Sequence, residues 1–267
     1  VVQQYDTVIL SDLHLGANNA RPDDVLRFLD GIDAHRVIVN GDLFDRPHLG
    51  RLGAADLRLL NRLRDLGRTT QVDWLIGNHD PSRAFFKSVL GIDAEDEAFV
   101  RAGNRTYLVY HGHGWDEALT WPWWLIAGAD GVYRFSQTVD PSHRLARYLK
   151  HRCKVFVKAV HNLRDRAIAE ARKRGLGGVV LGHSHMSCDT EIDGVHYLNG
   201  GCWTEKPASF VGVRDGVVRQ EFYEVGDRVT VAVTPPRRRA ARQVRVIDSL
   251  GLPEVGLPAP LASAERA

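Results

Sequence analysis

Thr7-Val8-Ile9-Leu10-Ser11-Asp12-Leu13-His14 passes at once from a β-rich apolar run to residue types that ligate metals. The same transition recurs four more times. Val37–Val39 leads into Asn40-Gly41-Asp42, and Val72–Ile76 into Gly77-Asn78-His79-Asp80. Thr106–Tyr110 leads into His111-Gly112-His113, and Gly178–Leu181 into Gly182-His183-Ser184-His185. Short runs rich in Val, Ile, Leu and Tyr read as buried strands. Helical patterns lie between several of them. Pro22–Leu29 opens with a proline and two aspartates, which suit a helix N-terminus. Ala54–Leu66 carries Leu57, Leu60, Leu63 and Leu66 and stops at Gly67. Pro81–Leu90 follows the third motif as another helix. Strand and helix in alternation predict an α/β layered fold, with polar motifs gathered at the carboxyl ends of the strands.

Residues 115–175 interrupt the rhythm. Trp115, Trp121, Trp123 and Trp124 cluster at its start and a long helical stretch runs on to Gly175, so the segment reads as a helical insertion or lid. After Ser187 short strands return, with Asp193-Gly194 and Asp215-Gly216 as hairpin turns. From Pro235 on, Pro, Arg and Ala dominate, the composition of a loosely held tail. The expected organisation is one domain over 1–233 and a tail over 234–267.

A chain of 267 residues suits a single α/β unit, and 44% hydrophobic residues suffice for its core. A charged fraction of 25% excludes global disorder. No apolar run approaches a membrane span, and the N-terminus does not read as a signal peptide. Cys153, Cys188 and Cys202 form no C-x-x-C pair and cannot all pair internally, so a reducing cytoplasm is expected. The net charge of +2 hides an asymmetry. Ser142–Gly175 holds eleven Lys or Arg against Asp165 and Glu170, so that segment carries +9 and the rest −7. Such a stretch is either a solvated helix face or a positive wall toward an anionic substrate or membrane. No DNA- or RNA-reading motif is present, so no specific nucleic-acid partner is expected.

Asp12 and His14, two apart at the end of an extended run, point to one side. His183 and His185 repeat that spacing. Gly41 permits an unusual turn before Asp42, whose two oxygens can bridge a pair of cations. Asn78 adds a neutral oxygen and His111 an imidazole. Seven ligands with one bridge give four contacts to each of two cations. Mixed His, carboxylate and amide ligation suits Mn, Fe or Zn better than Ca or Mg.

These motifs resemble the calcineurin-like metallophosphoesterases: D-x-H, G-D-x-x-D, G-N-H-D, H-G and G-H-x-H, in order from Asp12 to His185. Within that superfamily the chain is similar to the UDP-2,3-diacylglucosamine pyrophosphatase branch. Ser11-Asp12-Leu13-His14-Leu15-Gly16, Gly41-Asp42-Leu43-Phe44-Asp45 and the segment Gly194–Trp203 carry that likeness. The resemblance implies a four-layer α/β/β/α sandwich with a helical insertion. It implies one cation held by Asp12, His14, Asp42 and His185, and a second held by Asp42, Asn78, His111 and His183. It also implies manganese, a lipid-linked UDP-sugar cleaved to UMP and an acylated sugar phosphate, and a place at the inner membrane surface. The chain departs from the branch at His79, where an Arg is usual, and at His113, where an Asp is usual. A short Asn/Ser/Lys segment of the branch has no counterpart between Trp115 and Gly175.

His79 adjoins Asn78 and cannot easily share its cation, so it is expected to protonate the leaving oxygen or stabilise phosphate charge, with Asp80 orienting its ring. The alternative is a histidine that only hydrogen-bonds the ligands. Asp45 is expected to orient a ligand or cap a helix, and His113 to line the substrate site. Lys150, Lys154 and Lys158 could meet a diphosphate or anionic lipid head groups. The Trp121–Ile126 run is either core packing or an acyl-chain or membrane contact.

Overall fold

The computed structural model describes residues 2–47, 49–116 and 154–224, with the backbone alone for 154–156. In chain order the first elements are β1 (Gln3–Leu10), α1 (Pro22–Asp30), β2 (Ile32–Asn40), α2 (Ala54–Leu66) and β3 (Gln71–Leu75). Then come α3 (Arg83–Phe85), β4 (Ala94–Glu95), β5 (Glu97–Ala102) and β6 (Arg105–Tyr110). The last are α4 (Lys154–Lys173), β7 (Gly178–Leu181), β8 (Cys188–Ile192), β9 (Val195–Asn199), β10 (Ala208–Arg214) and β11 (Val217–Tyr223). All five motif-bearing runs are strands. The helix expected over Pro81–Leu90 starts later, where the Ser82 hydroxyl accepts from the Phe85 amide, and widens into a π turn over Phe86–Leu90.

Two mixed sheets form. One has the order β11-β10-β1-β2-β3-β4 and the other β5-β6-β7-β9-β8. Strands β1, β2 and β3 are parallel neighbours, as are β6 and β7. Parallel neighbours finish at one edge, so the residues after Leu10, Asn40 and Leu75 emerge side by side, as do those after Tyr110 and Leu181. Both Asp-Gly pairs close hairpins, between β8 and β9 and between β10 and β11. Asp193 (φ 50°) and Asp215 (φ 50°) adopt the left-handed backbone that such turns require.

The period of two along each strand sorts its residues into layers. Val8, Leu10, Val37 and Val39 pack under Val25 and Phe28 of α1 and Leu59, Leu60 and Leu63 of α2. Ile9 and Ile38 point the other way, into a seam with Val109 and Val180 of the second sheet. Leu108, Val179 and Leu181 face Leu163, Ala167, Ile168 and Ala171 of α4. The result is the expected α/β/β/α sandwich. Two expectations change. Leu57 is 50% exposed, because leucines three apart drift around a helix of 3.6 residues per turn, and the buried stripe runs through Leu59, Leu60 and Leu63 instead. Helix α4 is the fourth layer rather than part of a lid, because its apolar stripe is buried against β7 and β9. Residues 117–153, with Lys150 and the Trp121–Ile126 run, lie outside the described residues.

Leu163 is 2% exposed at the centre of that helix–sheet contact. Leu163→Ala is expected to cost about 3 kcal/mol in denaturant unfolding, through lost burial and the cavity left behind. Bound metal should change far less, since Leu163 meets the site loops at Gly112, behind the ligand-type atoms of His111 and His183. Among the described residues no helix is long and apolar enough to cross a membrane.

Candidate metal centre

The strand ends curl sharply at the motifs. Asp12 (φ 57°), His14 (φ 47°), Asp42 (φ 51°), His183 (φ 62°) and His185 (φ 54°) all have left-handed backbone. Residues with a Cβ rarely adopt it, and such strain collects at functional sites. The loops also interpenetrate. A Cβ on Gly41 would land against the His111 ring, and one on Gly182 against Ser11 and Asp12. These two glycines are the gaps through which neighbouring loops bring their ligand-type side chains together.

Two groups result. In the first, Asp12, His14 and His185 offer ligand-type atoms all within 4.8 Å of one another. The His14 Nε2 is 3.0 Å from the His185 Nε2, which is itself 3.0 Å from the Asp12 Oδ1. In the second group Asp42, His111 and His183 meet the same distance condition. The Asp42 Oδ2 stands 3.3 Å from the His111 Nε2 and 3.8 Å from the His14 Nε2, so one carboxylate oxygen faces both groups. Its other oxygen accepts the His79 amide at 2.9 Å, which draws the Asn78–His79 backbone to the site. Asn78 itself is exposed. The structure thus brings six of the seven expected ligand side chains together and sets the seventh, Asn78, on the adjoining loop.

Hydrogen bonds fix which ring atoms remain free. A carbonyl only accepts, so the His111 Nδ1 donates to the Asn40 carbonyl at 2.9 Å and leaves Nε2 bare. The Asp12 Oδ2 accepts from the Ser11 hydroxyl and from the His183 amide, which leaves Oδ1. The Asp12 Oδ1 and His111 Nε2 are buried without any hydrogen bond. Buried polar atoms left this way are costly unless something else meets them. Here oxygen and nitrogen lone pairs are aimed at shared points, as the ligands of a cation are.

The electrostatics agree. Burial opposes ionisation of Asp12, yet His185 and His14 hold its carboxyl well below the usual range. Burial also opposes ionisation of Asp42, and His111 outweighs it. Burial disfavours a charged His111, yet Asp42 pushes it up to about 10. The buried carboxylates demand positive charge and take it from protons when no cation supplies it. The donor set therefore fits a pair of divalent cations.

The remaining expected residues fall on either side. His79 stands edge-on to His14, with ring centroids 5.1 Å apart. Asp80 does not orient it. The His79 Nδ1 donates to the Asp45 carbonyl at 2.8 Å. The Asp80 carboxyl instead accepts the Gly77 and Phe44 amides at 2.8 and 3.0 Å, tying two loops together. Burial, then the Asp42 charge, push that carboxyl up to about 6. The Asp45 Oδ1 stands 3.9 Å from the His14 Nδ1, too far for a hydrogen bond, and that buried nitrogen has no hydrogen-bond partner. His113 lies beside His111, with ring centroids 5.6 Å apart, and burial together with His111 pushes it down. Lys158 is exposed on α4, and no described contact joins it to the cluster. The side chain of Lys154 is outside the described residues. One contact was not foreseen: the Asp116 carboxylate accepts from the His183 Nε2 at 2.8 Å. No motif marks Asp116, and only the turn after β6 places it.

A four-layer sandwich whose strand ends gather two such histidine–aspartate groups defines a metal-dependent phosphohydrolase. Residues 6–187 match the calcineurin-like phosphoesterase family, and the chain belongs to it. It is accordingly a metal-dependent phosphoesterase. No curated protein sequence matches the chain. Among solved structures, Vps29 of Entamoeba histolytica complexed with Zn is similar at 16% identity and TM-score 0.47, covering 85% of this chain and 97% of that one. The phosphoesterase YfcE from E. coli is similar at 18% identity and TM-score 0.48, covering 85% and 97%. An archaeal phosphodiesterase is similar at 15% identity and TM-score 0.43, covering 81% and 98%.

Proposed function

We propose that the protein hydrolyses a phosphoanhydride or phosphodiester bond with two divalent cations, manganese first, with iron or zinc as alternatives. The position of Asp42, with one oxygen toward both groups, carries the reading. Asp12, His14, Asp42 and His185 would hold one cation, and Asp42, Asn78, His111 and His183 the other. Such a pair, when bound, clamps phosphate oxygens and makes water a nucleophile at neutral pH. The chain's own contribution is His79. With Nδ1 donating to the Asp45 carbonyl, its Nε2 is the atom left to face the leaving oxygen, and it delivers a proton there when the ring is the doubly protonated imidazolium. His113, beside His111, would line the substrate site.

The substrate proposed first is UDP-2,3-diacylglucosamine, cut to UMP and an acylated glucosamine phosphate. The sequence words Ser11–Gly16, Gly41–Asp45 and Gly194–Trp203 support it. Peripheral contact with the inner membrane follows if the substrate is lipid-linked, with Lys150, Lys154 and Lys158 meeting its diphosphate or nearby head groups. A second reading, another phosphodiester such as a nucleotide, a phospholipid head group or nucleic acid, is favoured by His79 and His113, which replace the Arg and Asp usual in that branch.

One assay separates these. Chelator-treated protein is expected to be inactive, and added manganese to restore turnover of bis(p-nitrophenyl) phosphate. The acylated UDP-sugar should then be cleaved with a kcat/KM at least about tenfold above that of the simple diester, roughly 1.4 kcal/mol. Cleavage of the simple diester alone would transfer the case to the second reading. No hydrolysis of either by metal-replete protein would sink both.

A further inference from the structure

We infer that Asp116 is a positioning residue for the second cation site: it holds the His183 ring by Nε2 and thereby commits Nδ1 to the cation. The inference rests on the proposed dinuclear site and adds a residue outside its ligand set.

A histidine can ligate through either ring nitrogen, and the hydrogen bond at the other nitrogen selects which. The Asp116 Oδ2 lies 2.8 Å from the His183 Nε2, and the two side chains are only 16% and 10% exposed. A carboxylate accepts, so the proton sits on Nε2 and the Nδ1 lone pair is free. His111 is set the opposite way, with Nδ1 donating and Nε2 bare. Two imidazoles of one group thus present different ring atoms, each chosen by a partner behind it.

The turn that carries Asp116 is built rather than loose. The Trp115 amide donates to the Gly112 carbonyl at 3.0 Å and the Asp116 amide to the His113 carbonyl at 3.2 Å. The Gly114 amide donates to the Tyr110 hydroxyl at 3.1 Å, and the Trp115 ring packs 4.5 Å from the Tyr110 ring. The Arg166 guanidinium of α4 donates to the Trp115 carbonyl at 3.3 Å. One loop after β6 therefore does two things. It supplies His111 directly, and five residues later it reaches across to set His183, which comes from the loop after β7.

The test is Asp116→Ala, followed by manganese titration calorimetry and by electron paramagnetic resonance of the loaded protein. Wild type is expected to take up two cations and to show an exchange-coupled pair. In the variant one site should weaken about 10–100-fold while the other keeps its affinity, so that at stoichiometric manganese an isolated-ion signal appears. Saturating manganese should restore kcat to within a few-fold of wild type, which a variant damaged in its fold could not do. Two cations bound with wild-type affinities, or equal weakening of both sites, would overturn the inference alone. Failure of wild type to bind two cations would instead overturn the dinuclear reading beneath it.

Discussion

Asp42→Asn should lower turnover of any phosphodiester by on the order of 10³-fold or more, roughly 4 kcal/mol of lost transition-state stabilisation, and reduce bound metal from two cations to one or none. The choice of Asn isolates the cause. It keeps the volume of a side chain that is 2% exposed. It also keeps an acceptor for the His79 amide, so the loop after β3 stays in place. What it removes is the negative charge and the oxygen that faces the His14 Nε2 at 3.8 Å and the His111 Nε2 at 3.3 Å. With a neutral amide there, neither group retains enough charge to hold two divalent ions close together against their own repulsion. Asp12→Asn provides the comparison. Asp12 belongs to the first group only, so its loss should spare the cation near His111 and His183. Elemental analysis of the purified proteins, with initial rates at saturating manganese, reads both effects. Two tightly held cations and near-normal turnover in Asp42→Asn would remove the bridge, and the dinuclear mechanism with it.

Much of this site could be read from the chain because local rules carry it. A strand that ends in Asp12-Leu13-His14 or His183-Ser184-His185 announces both its layer and its ligand types. Parallel pairing then brings such ends together without further information. Long-range choices were not legible. The stripe Leu163, Ala167, Ile168 and Ala171 marks α4 as amphipathic, but not which surface it covers, so the helix read as a lid. The pairing of His79 with Asp80 failed for a geometric reason. Both residues lie in the bend that follows β3, where their side chains reach different neighbours. His79 turns to the Asp45 carbonyl, while Asp80 turns inward to the Gly77 and Phe44 amides. Asp116 gives no local signal, because its role exists only where the turn after β6 meets the loop after β7.

His79→Ala tests the division of labour between the ions and the chain, and its expected result depends on the leaving group. Loss of a proton donor should slow turnover about 10²–10³-fold for substrates that expel a basic alkoxide. A p-nitrophenolate leaving group needs little protonation, so its rate should fall far less. Bound metal should stay at two cations, because the two groups that converge at Asp42 are complete without His79, whose ring meets His14 and Asp45 in a third group and is tied by Nδ1 to the Asp45 carbonyl. The Asp42 carboxylate is met by the His79 backbone amide rather than by the ring, so removing the imidazole leaves that contact in place. These two facts separate proton delivery from ligand support. A donor role predicts a steep dependence of the mutational effect on leaving-group basicity at constant metal content. A merely supportive histidine would slow every substrate by the same factor. Measuring both rates beside metal content therefore discriminates the two, and an equal loss for both leaving groups would strip His79 of the proton-transfer role.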